Sequence, residues 1–182
     1  IEQGASITTH TNGTASDGGF VLVAAPNVTN AGSIAATSGQ VVLAAGVGVS
    51  LRPNGAGTSG NPQVLLPELS GQIVTVDPAT GASIDVTPAG TLTNTGIVQA
   101  ARGNVNLLGS RVVQNGVVGV TTSVNTPGTI TISTADEYAS NNPLGNPYTG
   151  STPVTGNGGG GDTINRAGLL SFGQGSVTTV LP

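Results

Sequence analysis

Residues able to do acid–base chemistry are few in this sequence and lie far apart. There is one histidine, His10, and the eight acidic residues include a single adjacent pair, Asp136–Glu137. A glycosidase needs two carboxyl groups about 5–10 Å apart across a sugar-binding cleft, whereas neighbouring residues of a strand point to opposite faces. We therefore expect His10 to lie exposed in a strand or turn and Asp136–Glu137 to begin a solvated loop. No catalytic residue is predicted.

Other motifs have the form of binding sites but lack the repetition that such sites need. Residues 157–164 (NGGGGDTI) resemble one half-turn of a calcium-binding β-roll, which requires tandem copies to complete its oxygen shell. Residues 129–133 (TITIS) form one hydroxyl row, and an ice-binding surface would repeat that row on successive strands. Asn12 and Asn27 each begin a glycosylation sequon, and the sequence does not decide whether either is modified. No metal and no cofactor is predicted.

The composition excludes several classes of protein. Among 182 residues there are four Arg, no Lys and no Cys, and the formal net charge is −4. So few cations cannot follow a phosphate backbone, which excludes nucleic-acid binding. Without Cys there is no disulfide framework, and one histidine excludes a multi-histidine metal site. No apolar run reaches the roughly 18 residues of a membrane helix, so we expect no membrane insertion.

Short runs of alternating aliphatic residues predict an all-β fold. Runs such as Val105-x-Leu107 place every second side chain on one buried face of a strand. Gly or Asn follows these runs at short intervals, as turns require. Thr, Val, Gly and Asn form helices poorly, and no stretch keeps an apolar period of 3.6 residues.

Internal repetition decides the predicted architecture. Residues 18–25 (GGFVLVAA) align without gaps on residues 38–45 (SGQVVLAA), and residues 28–46 align on residues 92–110 with seven identities in 19. A period near 20 made of short strands and tight turns predicts a parallel β-helix of roughly six to eight windings. An antiparallel sandwich is the competing interpretation, but it requires more two-residue Asn-Gly or Asp-Gly turns than the sequence contains.

The alignments also predict roles for the turn residues. The Asn of the repeated T-N-x-G motif (Asn30 and Asn94) is expected at a turn, where Asn tolerates a positive φ and its amide can bond to its counterpart one winding away. Matching glycines are expected where a positive φ or a close approach of the next winding excludes a Cβ atom. These glycines are Gly32 with Gly96, and Gly39 with Gly103.

Two segments interrupt the period and divide the chain. Both are rich in Pro and Gly, and the first contains a predicted antiparallel hairpin at residues 72–86 around the turn D-P-A-T-G. The predicted divisions are β-helix windings over 1–51, an extra-helical loop and hairpin over 52–90, further windings over 91–134, a Pro/Asn/Gly-rich loop over 135–161, and the final β-helix strands over 162–182.

The repeat-bearing segments resemble the filamentous-haemagglutinin-like exoproteins of Gram-negative two-partner secretion systems. The resembling stretches are residues 21–53, 91–118 and 172–182. Their specific feature is the order of the motifs N-A-G-x-I and G-x-V-x-L, with A-R-G-x-V between them. The family's Asn-Pro-Asn secretion motifs are absent from this sequence, where Asn142-Pro143-Leu144 matches them only in part. We therefore do not expect this segment to be the export signal.

This resemblance implies a right-handed parallel β-helix, export through an outer-membrane secretion partner, and a secreted or cell-surface location. It implies a structural and adhesive function in adhesion, aggregation, or biofilm and fibre formation, with host or bacterial surface glycans or proteins as partners. The family has no catalytic residue in this region.

The alternative function is that of a carbohydrate-processing parallel β-helix enzyme. Such sites need Asp, Lys or Arg clustered on one face, whereas the acidic residues here are dispersed along the chain. Because neither end of the sequence has a polar capping strand, we expect either a piece of a longer exoprotein or end-to-end self-association of copies.

Overall fold

The computed structural model describes residues 1–9, 19–53, 65–70, 73–76, 83–84, 90–122, 128–135, 137–140, 163–166 and 168–182. The regular secondary structure of these residues consists of β-strands alone, as the alternating aliphatic pattern predicts. His10, Asn12, Asp136 and residues 157–162 lie outside the described residues.

Three parallel sheets contain most of the strands. Sheet 1 consists of β1 (Ser6–Thr9), β4 (Ser33–Thr37), β11 (Ile97–Ala101), β14 (Val117–Thr121) and β19 (Val177–Leu181). Sheet 2 consists of β2 (Phe20–Ala25), β5 (Gln40–Ala45), β12 (Asn104–Gly109) and β15 (Thr129–Thr134). Sheet 3 consists of β3 (Asn27–Asn30), β10 (Thr91–Asn94), β13 (Arg111–Gln114) and β18 (Leu169–Phe172). Within each sheet the strands pair in parallel and in their order along the chain.

The remaining strands form two further units. β6 (Gly48–Pro53) and β7 (Leu65–Ser70) pair antiparallel, and we refer to them as the docked hairpin. A four-stranded accessory sheet has the strand order β17 (Thr163–Arg166), β16 (Glu137–Ser140), β8 (Ile73–Val76) and β9 (Ser83–Ile84).

The chain enters sheets 1, 2 and 3 in a fixed rotation. β1, β2 and β3 belong to sheets 1, 2 and 3, and the same order recurs up to β19 once the docked hairpin and the accessory sheet are set aside. Among the described residues, four rounds of three strands follow β1. Six described strands lie outside this rotation, namely those of the docked hairpin and of the accessory sheet.

Strand register confirms both predicted repeat alignments. The shift of 20 residues pairs Val21 with Val41, and the shift of 64 residues pairs Val28 with Leu92. Equivalent residues therefore lie side by side on neighbouring strands, and inward side chains form columns. Leu43 and Leu107 are neighbours in one such column and are 0% exposed.

A ladder of buried amides runs through the inward face of sheet 3. Asn30 Nδ2 donates to Asn94 Oδ1 at 2.8 Å, and Asn94 Nδ2 donates to Gln114 Oε1 at 2.8 Å. All three residues are 0% exposed, so the predicted bond between counterpart asparagines is present. Neither asparagine has a positive φ; among the described non-glycine residues that conformation is found at Ser38 and Arg102. The amides satisfy one another within sheet geometry and need no left-handed turn.

The matching glycines are explained by close backbone approach. A Cβ atom on Gly103 would overlap the carbonyl oxygen of Gly39, and one on Gly96 would overlap that of Gly32. Neither Gly39 nor Gly103 has a positive φ. Of the two reasons that the sequence allows for these glycines, the close approach therefore applies.

Gly103→Ala is expected to lower the free energy of unfolding by about 1–3 kcal/mol, because the added methyl group meets backbone that cannot rotate away. Gly119→Ala is the matched control, since its Cβ would meet only the Thr179 side chain at 3.9 Å, and we expect a change within about 0.5 kcal/mol. Chemical denaturation of both variants measures the difference. Equal midpoints would contradict the close approach at Gly103.

Candidate interaction surface

The residues considered for chemistry do not come together in the described structure. Glu137 begins β16 opposite Arg166 of β17. Thr129 and Thr131 are exposed on β15, but their neighbours on β12 are Asn104 and Asn106, so the hydroxyl row is not repeated there.

Asn27, which begins the described sequon, lies exposed on sheet 3. Its Oδ1 accepts a hydrogen bond from the backbone N–H of Thr91 at 3.1 Å. The side chain thus helps to join β3 to β10, which is a structural role for this residue.

The described residues contain neither a cluster of metal ligands nor a membrane-spanning helix. No group of three or more His, Cys, Asp or Glu side chains is placed to hold a metal ion there. None of these residues belongs to a helix of the length and hydropathy needed to cross a membrane.

The docked hairpin covers the outer face of the two central strands of sheet 2, β5 and β12. Strands β5 and β12 are buried on both faces over almost their whole length, and β7 contacts both of them. Val42, Ala44 and Leu108 point outward and yet are at most 6% exposed. The hairpin is therefore packed on the core and does not project freely from it.

Gln40 makes the most specific contact between sheet 2 and the docked hairpin. Its Nε2 donates to the backbone carbonyl of Leu65 at 2.6 Å, and its Oε1 accepts from the backbone N–H of Leu65 at 2.9 Å. Asn106 Nδ2 adds a longer bond to the same carbonyl at 3.5 Å. Gln40 is 4% exposed, so the half-buried Leu65 supplies the partners that a buried side-chain amide needs.

An ion pair lies on the hairpin itself. Arg52 Nε is 2.6 Å from Glu68 Oε1, and the two side chains are 64% and 48% exposed. A pair this exposed contributes about 0–1 kcal/mol at most. We therefore assign the docking of the hairpin to its buried contacts.

The accessory sheet joins the two segments that interrupt the repeat. β8 of the first segment pairs in parallel with β16 of the second, with Ile73 opposite Tyr138. β8 and β9 pair antiparallel, which confirms the hairpin predicted at residues 72–86. β17 pairs with β16, although its residues fall in the range predicted as final β-helix strands (162–182). The two irregular segments thus form one unit.

Three short connections hold the accessory sheet near the parallel sheets. Two residues separate β7 from β8, two separate β15 from β16, and two separate β17 from β18. Such links span at most about 10 Å, given roughly 3.3–3.6 Å for each extended residue. β15 and β18 are strands of sheets 2 and 3, whereas β7 is held by its contacts with the outer face of sheet 2.

Exposed aliphatic and aromatic side chains cluster on β18 and β19. Phe172, Val180 and Leu181 are each at least 50% exposed. Phe172 and Val180 continue inward columns, since they pair with the buried residues Gln114 and Val120. These two strands carry the largest concentration of exposed apolar side chains among the described residues.

Sequence reasoning missed Gln40, although a signal for it was present. Residues 41–45 (VVLAA) form a continuous apolar run in which the alternation of buried and exposed positions is lost. Such a run is typical of a strand buried on both faces, and a polar residue at its start then needs a partner of its own. The sequence does not say that Leu65 is that partner.

Comparisons with known proteins give no relative for this chain: no family model, no curated protein and no solved structure matches it.

Proposed function

We propose that sheets 1–3 are the three faces of a right-handed parallel β-helix, in which each round of strands is one winding. The fixed rotation and the stacking of strands in chain order support this arrangement. Windings would then repeat at about 4.8 Å. The right hand is proposed because about 98% of parallel crossover connections have it.

On this scaffold we propose a structural and adhesive function rather than an enzymatic one. The chain would be a segment of a secreted or surface-attached bacterial exoprotein of the filamentous-haemagglutinin-like kind. An outer-membrane secretion partner would export it, and it would act in adhesion, aggregation, or biofilm and fibre formation. Surface glycans or proteins are the proposed partners.

One observation carries this proposal: two irregular segments, distant in sequence, form a single sheet outside a regular repeating core. Proteins commonly bind through irregular segments that a rigid scaffold positions. The accessory sheet and residues 141–162, which connect β16 to β17, are accordingly the proposed contact region.

Replacing residues 141–162 by a two-residue Asn-Gly turn tests this assignment. The change keeps β16 and β17, and the closure entropy of a loop varies slowly with length, so we expect stability to change by about 1 kcal/mol or less. Beads coated with the parent chain should attach to epithelial cell layers and to one another. Beads with the shortened chain should lose more than half of this attachment.

Gln99→Ala, an exposed change on sheet 1, is the control and should attach like the parent. Undiminished attachment of the shortened chain would move the contact region elsewhere. Reducing ends or unsaturated products released from acidic or neutral polysaccharides would instead favour the enzymatic alternative.

A further inference from the structure

We propose that Gln40 is a positioning residue for the proposed contact region. Its side-chain amide makes two hydrogen bonds to the backbone of Leu65. These bonds hold the docked hairpin on sheet 2, and the hairpin in turn helps to hold the accessory sheet. This inference rests on the proposed adhesive function.

The two prolines of the hairpin fix which backbone groups face outward. Pro53 pairs with Leu65, and Leu51 pairs with Pro67. Proline has no N–H to donate, so the pairs that contain a proline are expected to be the non-hydrogen-bonded pairs of the hairpin. The alternate pairs, such as Arg52 with Leu66, then exchange the hydrogen bonds between the strands. The N–H and the carbonyl of Leu65 then point away from β6.

The Gln40 amide meets both of these outward groups. It donates to the Leu65 carbonyl at 2.6 Å and accepts from the Leu65 N–H at 2.9 Å, as a neighbouring backbone peptide group would. Among side chains, only Gln and Asn carry a carboxamide, which offers a donor and an acceptor side by side. The side chain of Asn is one methylene shorter than that of Gln. Without the Gln40 amide, the half-buried N–H of Leu65 would lose its side-chain partner, and the Leu65 carbonyl would keep only the longer bond from Asn106.

The bonds between Gln40 and Leu65 also affect the accessory sheet, because a two-residue link joins β7 to β8. Of the three strands linked to that sheet, β15 and β18 belong to the parallel sheets, whereas β7 pairs with β6 and lies on sheet 2 through its contacts with β5 and β12. Release of β7 would remove the attachment to sheet 2 that β8 has through its two-residue link. The accessory sheet would keep its links to β15 and β18 but lose the third, so the part formed by β8 and β9 would no longer be fixed against the parallel sheets.

Hydrogen exchange of the full chain tests the docking step directly. Gln40→Ala should raise the exchange rates of the amides in β7 at least tenfold, while those of the buried strand β12 change less than twofold. Gln99→Ala, the matched glutamine change on an exposed site, should alter neither. In the bead assay the Gln40→Ala variant should lose more than half of the parent's attachment.

Gln40→Glu separates the donor from the acceptor. At pH 7 the introduced carboxylate keeps an acceptor for the Leu65 N–H but faces the Leu65 carbonyl without a proton to donate. Burial and that carbonyl both favour the protonated form and raise the pKa of the introduced carboxyl. Protection of β7, corrected for intrinsic exchange, should therefore be low at pH 7 and recover by at least threefold at pH 4.

Unchanged exchange in β7 of the Gln40→Ala variant would overturn the docking role. Faster exchange with full attachment would show that Gln40 is only structural and would overturn its positioning role. The proposed function is judged separately on the parent chain, since a parent that does not attach to cells or to itself fails whatever Gln40 does.

Discussion

Leu107→Ala is expected to lower the free energy of unfolding by about 2–5 kcal/mol, the range for truncating a buried leucine. Leu107 is 0% exposed on the inward face of β12, with Leu43 beside it on β5 and Ile132 on β15. Parallel backbone ladders hold these strands on both sides, so the neighbours cannot collapse into the space that the side chain leaves. A cavity remains, and its cost adds to the lost burial.

Leu22→Ala is the matched control for this effect. Leu22 is also a strand leucine, but it points outward from β2 and is 41% exposed, so its truncation should cost less than about 1 kcal/mol. Guanidinium denaturation gives both values if the m-values stay equal to that of the parent. A Leu107→Ala variant as stable as the Leu22→Ala variant would mean that the core has been placed on the wrong face of sheet 2.

The repeating part of the fold could be predicted from the sequence because its physics is local and recurrent. Each strand presents alternate residues to the core, and a shift of one residue would turn Val41 and Leu43 to the outer face. The aligned segments therefore fix the register of neighbouring strands, which the pairing of Val41 with Val105 illustrates. The glycine columns add a second constraint, since only a residue without Cβ fits where backbones touch, as at Gly39 and Gly103.

The candidate interaction surface could not be predicted in the same way. β8 and β16 have no sequence similarity that would indicate their pairing, and the partner strand is set by where the chain is tethered. The link between Gln40 and Leu65 joins a side chain to backbone atoms, which any residue except proline offers. Composition marked both segments as irregular but contained no information on which surface they would cover.

The second large effect is expected in the buried amide ladder, where each member depends on the next. Gly32 N–H donates to Asn30 Oδ1 at 3.2 Å, and Gln114 Nε2 donates to the carbonyl of Gly116 at 3.1 Å. Asn94 lies between them: its Oδ1 accepts from Asn30, and its Nδ2 donates to Gln114. Hydrogen bonds in such a chain polarise one another in a medium of low dielectric constant.

Asn94→Ala should lower the free energy of unfolding by about 2–5 kcal/mol, because it removes the partners of two buried polar atoms at about 1–3 kcal/mol each. Asn30 Nδ2 then keeps only its longer contact of 3.5 Å with the Ile97 carbonyl. Asn115→Ala is the control, because this asparagine directly follows β13 and is exposed. The change should lower the free energy of unfolding by less than about 1 kcal/mol. Denaturation midpoints of the two variants test the ladder. If Asn94→Ala were as mild as its control, water or relaxed backbone would have to satisfy both orphaned amides, and the ladder would not be a source of stability.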